Sequence, residues 1–169
     1  EYLVAVYGIW MAHGVVVSLS PLMEPEETSN LIQTTKCRVV IGLDLLLADP
    51  GIQREHMFSV SLKDRLPRWE RFGYGIARLK RIGLRFTSEG ENTRSFAEAL
   101  EFADHSFRAV RSAEDAPAYV FHTGGTTGHR KAVMLTHRNL VANAWQMRHW
   151  MGNRFGQESI LAVLPFCQS

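Results

Sequence analysis

Residues 2–43, YLVAVYGIWMAHGVVVSLSPLMEPEETSNLIQTTKCRVVIGL, decide the fold class. The first twelve are apolar and read as a helix over 2–13, stopped by Gly14. The β-branched run that follows reads as a strand over 15–19. Pro25, with Glu26 and Glu27 behind it, places a helix start with acids in its first turn, where the positive end of the helix dipole favours them. Then RVVIGL at 38–43 returns to strand. A helix, strand, helix, strand alternation whose strands are apolar on both faces predicts an α/β fold, a parallel sheet covered by helices.

The same stretch has to be read against a bilayer. Residues 2–23 carry no Asp, Glu, Lys or Arg and are numerous enough to cross one. His13 and Gly14 interrupt the run, the pattern changes there to VVVSLS, and both flanks are acidic, without a basic anchor. A buried helix followed by a buried strand is the expectation. With 169 residues, 46% apolar and 21% charged, the chain can bury a core in one or at most two compact units. Cys37 and Cys167 form no C-x-x-C pair and are too few for a disulfide framework, so a reducing compartment is expected. The closing LAVLPFCQS stops just after an apolar run, as a chain cut within an element would. A fragment is therefore expected, and a signal peptide before Glu1 stays open.

Further along, MFSVSL at 57–62 reads as a strand, and SFAEALEFADHSF at 95–107 as a helix whose Ser95 and Glu98 suit a capping box. AYVFHT at 118–123 and AVMLTH at 132–137 read as strands, residues 139–150 as a helix, and SILAVLP at 159–165 as a last strand. Residues 63–85 form the most polarised segment, with eight Lys or Arg against two acids, a local +6 in a chain of net +2. Leu66, Trp69, Phe72, Ile76 and Leu79 recur at helical spacing there, giving one apolar and one basic face. An ordinary solvated surface helix and a membrane-surface contact both fit that pattern. Nucleic acid is not expected, because no DNA or RNA motif accompanies the charge.

Between the two strands lies TGGTTGHRK, residues 123–131. Gly124, Gly125 and Gly128 let backbone N–H groups converge, Thr123, Thr126 and Thr127 add hydroxyls, and Arg130 and Lys131 add charge, which together make a site for phosphate oxygens. A Walker loop would need its lysine directly after the last glycine and a helix behind it; His129 follows Gly128, and the chain continues as a strand. A bland hairpin turn would need only two residues. His122, His129 and His137 lack a metal site's spacing and partners, so no metal ligand set is assigned.

At these residues the sequence resembles the adenylate-forming enzymes, whose phosphate loop runs roughly [ST]-[SG]-G-[ST]-[ST]-G-x-P-K-G into a strand and THxN. Thr123, Gly124, Gly125, Thr126, Thr127, Gly128 and Lys131 match, while Arg130 stands where proline is usual and Ala132 where glycine is usual. Residues 5–42 resemble the family's helix, strand and helix around a GAVVVPLNPLYTPEEL-like stretch, and within the family the likeness is to long-chain acyl-CoA synthetases. The resemblance implies that 1–169 is part of the large N-terminal domain, with 63–85 a basic insertion and the C-terminal domain absent.

It also implies ATP, Mg2+ and coenzyme A, and a fatty acid as the acid activated. A carboxylate would attack the α-phosphate, pyrophosphate would leave, and coenzyme A would capture the acyl-adenylate as a thioester. Gln168 replaces a histidine that lines the family's acyl pocket, so an amide would act there by hydrogen bonding or shape. The adenine-binding aromatic motif, the magnesium-binding Glu, the ribose-binding Asp and the C-terminal lysine are expected beyond Ser169, which makes this piece inactive alone. A cytoplasmic enzyme with peripheral membrane contact through 63–85 is the expectation. The rivals are a non-catalytic nucleotide-fold remnant that binds membranes and, within the same chemistry, a nonribosomal-peptide adenylation domain.

Overall fold

The computed structural model describes residues 1–20, 23–47, 52, 55–61, 66–67, 69–70, 73, 76, 93–104, 106–123, 131–151, 156–157 and 159. The chain divides into two compact units, Pro21–Ser106 and a discontinuous one made of Glu1–Ser20 with Phe107–Ser169.

The discontinuous unit begins with α1, Tyr2–Met11, and β1, Val16–Val17. The helix ends two residues earlier than its apolar run suggests, and Gly14 is not what turns it. His13 takes the left-handed conformation (φ 59°) while its N–H donates to the Trp10 carbonyl and that of Gly14 to the Ile9 carbonyl, at 3.0 and 2.8 Å. This pair of bonds is the Schellman closure of a helix C-terminus. Gly14 is needed for space: a Cβ there would lie 2.8 Å from Ile9 Cγ2 and 3.1 Å from its carbonyl oxygen. Among the described residues no helix is long and apolar enough to cross a membrane.

The inserted unit holds α2 (Pro25–Thr34), β2 (Val39–Leu43), α3 (Asp44–Leu47), β3 (His56–Val60), β4 (Thr93–Ser95) and α4 (Phe96–Glu101). Pro25 opens α2 as expected, with Glu26 and Glu27 in its first turn. The helix closes as α1 does, with Lys36 left-handed (φ 53°) and the Cys37 N–H donating to the Ile32 carbonyl. The three strands pair in the order β2-β3-β4, all parallel, from Val39 opposite His56 to Leu43 opposite Val60. Ile32, Val40, Leu47, Ile52, Met57 and Phe96 are this unit's buried apolar residues. Ser95 caps α4 by accepting from the Glu98 N–H at 3.4 Å, and the helix is much shorter than the 95–107 pattern predicts.

The chain then returns to the first unit as β5 (Pro117–His122), β6 (Ala132–Thr136) and α5 (His137–Met151). β5 pairs in parallel with β1, Val16 opposite Tyr119, and antiparallel with β6. The antiparallel pairing follows from chain length: a parallel crossover needs a dozen or more residues, normally a helix, and only residues 123–131 separate these strands. Val6, Val16 and Tyr119 form the buried centre, with Tyr2, Ile9, Trp10, Phe121, Leu135 and Leu140 packed around them. The Trp10 indole N–H donates to the Ala118 carbonyl at 2.8 Å, and the Tyr2 and Tyr119 hydroxyls hydrogen-bond. The expected α/β fold is present, as parallel pairs with helices; of the strand expected over 159–165 only Ser159 is described, outside any strand, and 160–165 lie outside the described residues.

Candidate phosphate-binding site

The sheet fixes the two ends of the glycine loop. In the β5–β6 ladder Val120 faces Met134, Phe121 faces Val133 and His122 faces Ala132, which brings the next residues, Thr123 and Lys131, together. The Thr123 N–H donates to the Lys131 carbonyl at 3.0 Å. Its hydroxyl oxygen accepts from the Lys131 N–H at 3.3 Å and donates to the Lys131 carbonyl at 3.4 Å. Thr123 and Lys131 therefore form one closed base. Gly124, Gly125, Thr126, Thr127, Gly128 and Arg130 lie outside the described residues, as do His129 and Gln168. Of the basic segment, only Leu66, Pro67, Trp69, Glu70, Gly73 and Ile76 are described, with Trp69 exposed.

Two cations flank β6, and the structure treats them differently. Arg138, in the first turn of α5, donates through Nε to Asp115 Oδ1 at 2.8 Å and through a terminal nitrogen to Asp115 Oδ2 at 3.1 Å, with Glu114 at 3.2 Å. The Asp115 hydrogen bond and charge, with Glu114 behind it, hold the guanidinium pKa above its ordinary value. Lys131 is exposed and its ammonium makes no ion pair among the described residues. No Asp or Glu occurs between Asp115 and Glu158. Among the described residues, therefore, no carboxylate competes for the cation at the loop base.

The N-terminus of the helix after the loop is already partnered by its own chain. Its first three N–H groups are taken: His137 donates to the Ala116 carbonyl at 3.2 Å, Arg138 to the Glu114 carbonyl at 2.8 Å, and Asn139 to Thr136 Oγ1 at 3.2 Å. Asn139 Oδ1 in turn accepts from the Thr136 N–H and hydroxyl, both at 2.9 Å. This is a reciprocal N-cap. It stands at the far end of β6, roughly 17 Å of strand from the loop at about 3.4 Å per residue.

The THRN residues 136–139 thus bolt the far end of the hairpin. Their cap was legible in the Thr-x-x-Asn spacing, whereas the Asp115 partner of Arg138 had no signal beyond a polar turn. His137 is a packing residue, its ring set edge-on to Trp10 at 6.2 Å. Among the described residues no three His, Cys, Asp or Glu side chains gather as a metal site. The Lys131 ammonium is a donor of the kind that phosphate oxygens accept from. Among the described residues no carboxylate pairs with it that could also hold Mg2+.

A family model described as AMP-binding enzyme matches residues 1–168. A long-chain-fatty-acid–CoA ligase of Bacillus subtilis is 28% identical over 98% of the chain. The enzyme of the same name from Salmonella typhimurium is 29% identical over 98%. The chain spans 31% of the length of each. Among solved structures, an acyl-CoA synthetase of Brucella canis superposes with a TM-score of 0.61 at 16% identity, over 88% of this chain and 23% of the other.

Proposed function

From the chain's membership of the AMP-binding enzyme family, to which residues 1–168 assign it, we propose that it supplies the ATP-phosphate loop of an acid–thiol ligase. The enzyme joins a medium- or long-chain fatty acid to AMP and passes the acyl group to coenzyme A. The observation that carries this reading is the closed Thr123–Lys131 base, whose lysine has no carboxylate partner among the described residues and adjoins a glycine- and threonine-rich sequence. The names of the Bacillus and Salmonella relatives support the choice of acid.

When the carboxylate attacks the α-phosphorus, negative charge builds on the departing pyrophosphate. Lys131, the Thr126 and Thr127 hydroxyls and the N–H groups of Gly124, Gly125 and Gly128 are the residues we assign to that charge. Donors already aimed at developing charge lower the barrier without reorganising. Thr123 belongs to the same loop base. ATP would supply the adenylyl group and coenzyme A would accept the acyl group, and Mg2+, when bound, would add positive charge at the phosphates. Gln168 is assigned to the acyl pocket.

Peripheral contact with anionic membranes through 63–85 is part of the same reading, carried by that segment's charge. In a cytoplasmic enzyme it would place the active site near its lipid substrate. The test uses the full-length protein with ATP, Mg2+ and coenzyme A, measuring pyrophosphate and thioester with fatty acids and with amino acids, and co-sedimentation with phosphatidylserine vesicles. Fatty-acid-dependent thioester, and vesicle binding that weakens as salt rises, are expected. Activation of amino acids alone would favour a nonribosomal adenylation role, and no acid-dependent pyrophosphate would overturn the assignment. Salt-independent or absent vesicle binding would remove the membrane part.

A further inference from the structure

The hydroxyl of Thr123 carries one proton, its oxygen accepts the Lys131 N–H at 3.3 Å, and the Lys131 carbonyl lies 3.4 Å away as an acceptor for that proton. A phosphate oxygen is itself an acceptor, so it needs a proton that this hydroxyl is using elsewhere. We propose that Thr123 is a positioning residue. It acts through Lys131, closing the loop base and fixing where the free ammonium departs from the sheet, and it does not bind phosphate itself. This rests on the phosphate-loop reading above and divides its residues by role.

Three features of the geometry favour it. The side-chain bonds duplicate a backbone bond, Thr123 N–H to Lys131 carbonyl at 3.0 Å, so the base is pinned by both partners. The Lys131 N–H has the Thr123 side chain as its acceptor, whereas the Thr123 N–H has main chain. Finally, the Lys131 ammonium has no carboxylate partner among the described residues, so no ion pair there competes with the backbone in directing it.

The experiment uses the full-length protein carrying Thr123→Val, Thr123→Ser, Lys131→Ala and the Val/Ala double variant, with Thr123→Ala in reserve should the valine fail to fold. Without nucleotide, amide hydrogen exchange at Lys131 is expected to quicken at least tenfold in Thr123→Val while the Thr123 amide keeps its protection. Unchanged exchange at Lys131 would overturn the clamp. With ATP varied, Thr123→Val is expected to raise KM for ATP about tenfold with a smaller change in kcat, and Thr123→Ser to stay within twofold of the parent. On the Lys131→Ala background the valine should add less than twofold, because its effect is transmitted through that lysine. An undiminished additional loss there would make Thr123 a direct phosphate ligand and overturn the proposal. If the parent itself shows no ATP-dependent activity, the functional reading falls, and the exchange measurement alone decides the clamp.

Discussion

Thr126 and Thr127 differ from Thr123 in what their chemistry is expected to do. Replacing both by valine keeps side-chain shape and removes two hydroxyl donors to ionised oxygens, each worth about 1.5 to 3 kcal/mol. Adenylation by the full-length enzyme should fall by roughly two to four orders of magnitude. Arg130→Pro, which restores the residue usual in the resembling loops and stiffens the backbone, should keep or raise activity. Fatty-acid-dependent pyrophosphate release measures both, with thermal melting as the check on folding. A double valine variant that melts normally and works at the parental rate would remove the loop from phosphate binding. These residues were legible because their side-chain chemistry is intrinsic: glycine permits close amides and threonine carries a hydroxyl wherever it stands.

Helix ends were only partly legible, for an equally local reason. Pro25 and Ser95 declared their caps because a missing N–H and a short hydroxyl side chain suit an N-terminus. The C-termini of α1 and α2 are closed by His13 and Lys36, residues whose composition carries no stop signal, held left-handed by the bonds around them. Left-handed backbone costs a non-glycine residue roughly 1 to 2 kcal/mol. Lys36→Gly should therefore stabilise the chain by about 1 kcal/mol, read as a higher denaturant midpoint. Gly14→Ala should do the reverse, by about 1 to 3 kcal/mol, since its methyl would press on Ile9. An unchanged midpoint in both would contradict the cap assignments.

At the scale of the molecule, the chain is a minor share of the relatives it matches, 31% of the Bacillus subtilis ligase. On the reading proposed above, its described site residues, Thr123 and Lys131, belong to the phosphate end of a nucleotide site. Accordingly, residues 1–169 expressed alone and given ATP, Mg2+, coenzyme A and a fatty acid should release no AMP and form no thioester. Thioester above background would show that the 169 residues hold every part of the site. The apolar side chains of α5 fit the same view, with Trp150 92% exposed and no residue of that helix buried. A helix of its length gains most of its stability from packing an apolar face.

By itself the sequence determined the α/β class and the break from helix to strand within 2–20, and the phosphate role proposed for the glycine loop and its lysine is read from chemistry of the same local kind. Each depends on periodicity, backbone permissiveness or side-chain chemistry within a few residues. Tertiary structure alone decided what lies far apart in the chain. Trp10 grips the Ala118 carbonyl across 108 positions, and β1 finds β5 on the far side of an inserted unit. The fates of the two cations belong here as well. Nothing in their composition distinguishes Arg138 from Lys131 as partners for an anion. The fold brings Asp115 and Glu114 to the arginine and none of the described carboxylates to the lysine, because the far end of the hairpin packs against an acidic turn while the near end opens into the loop.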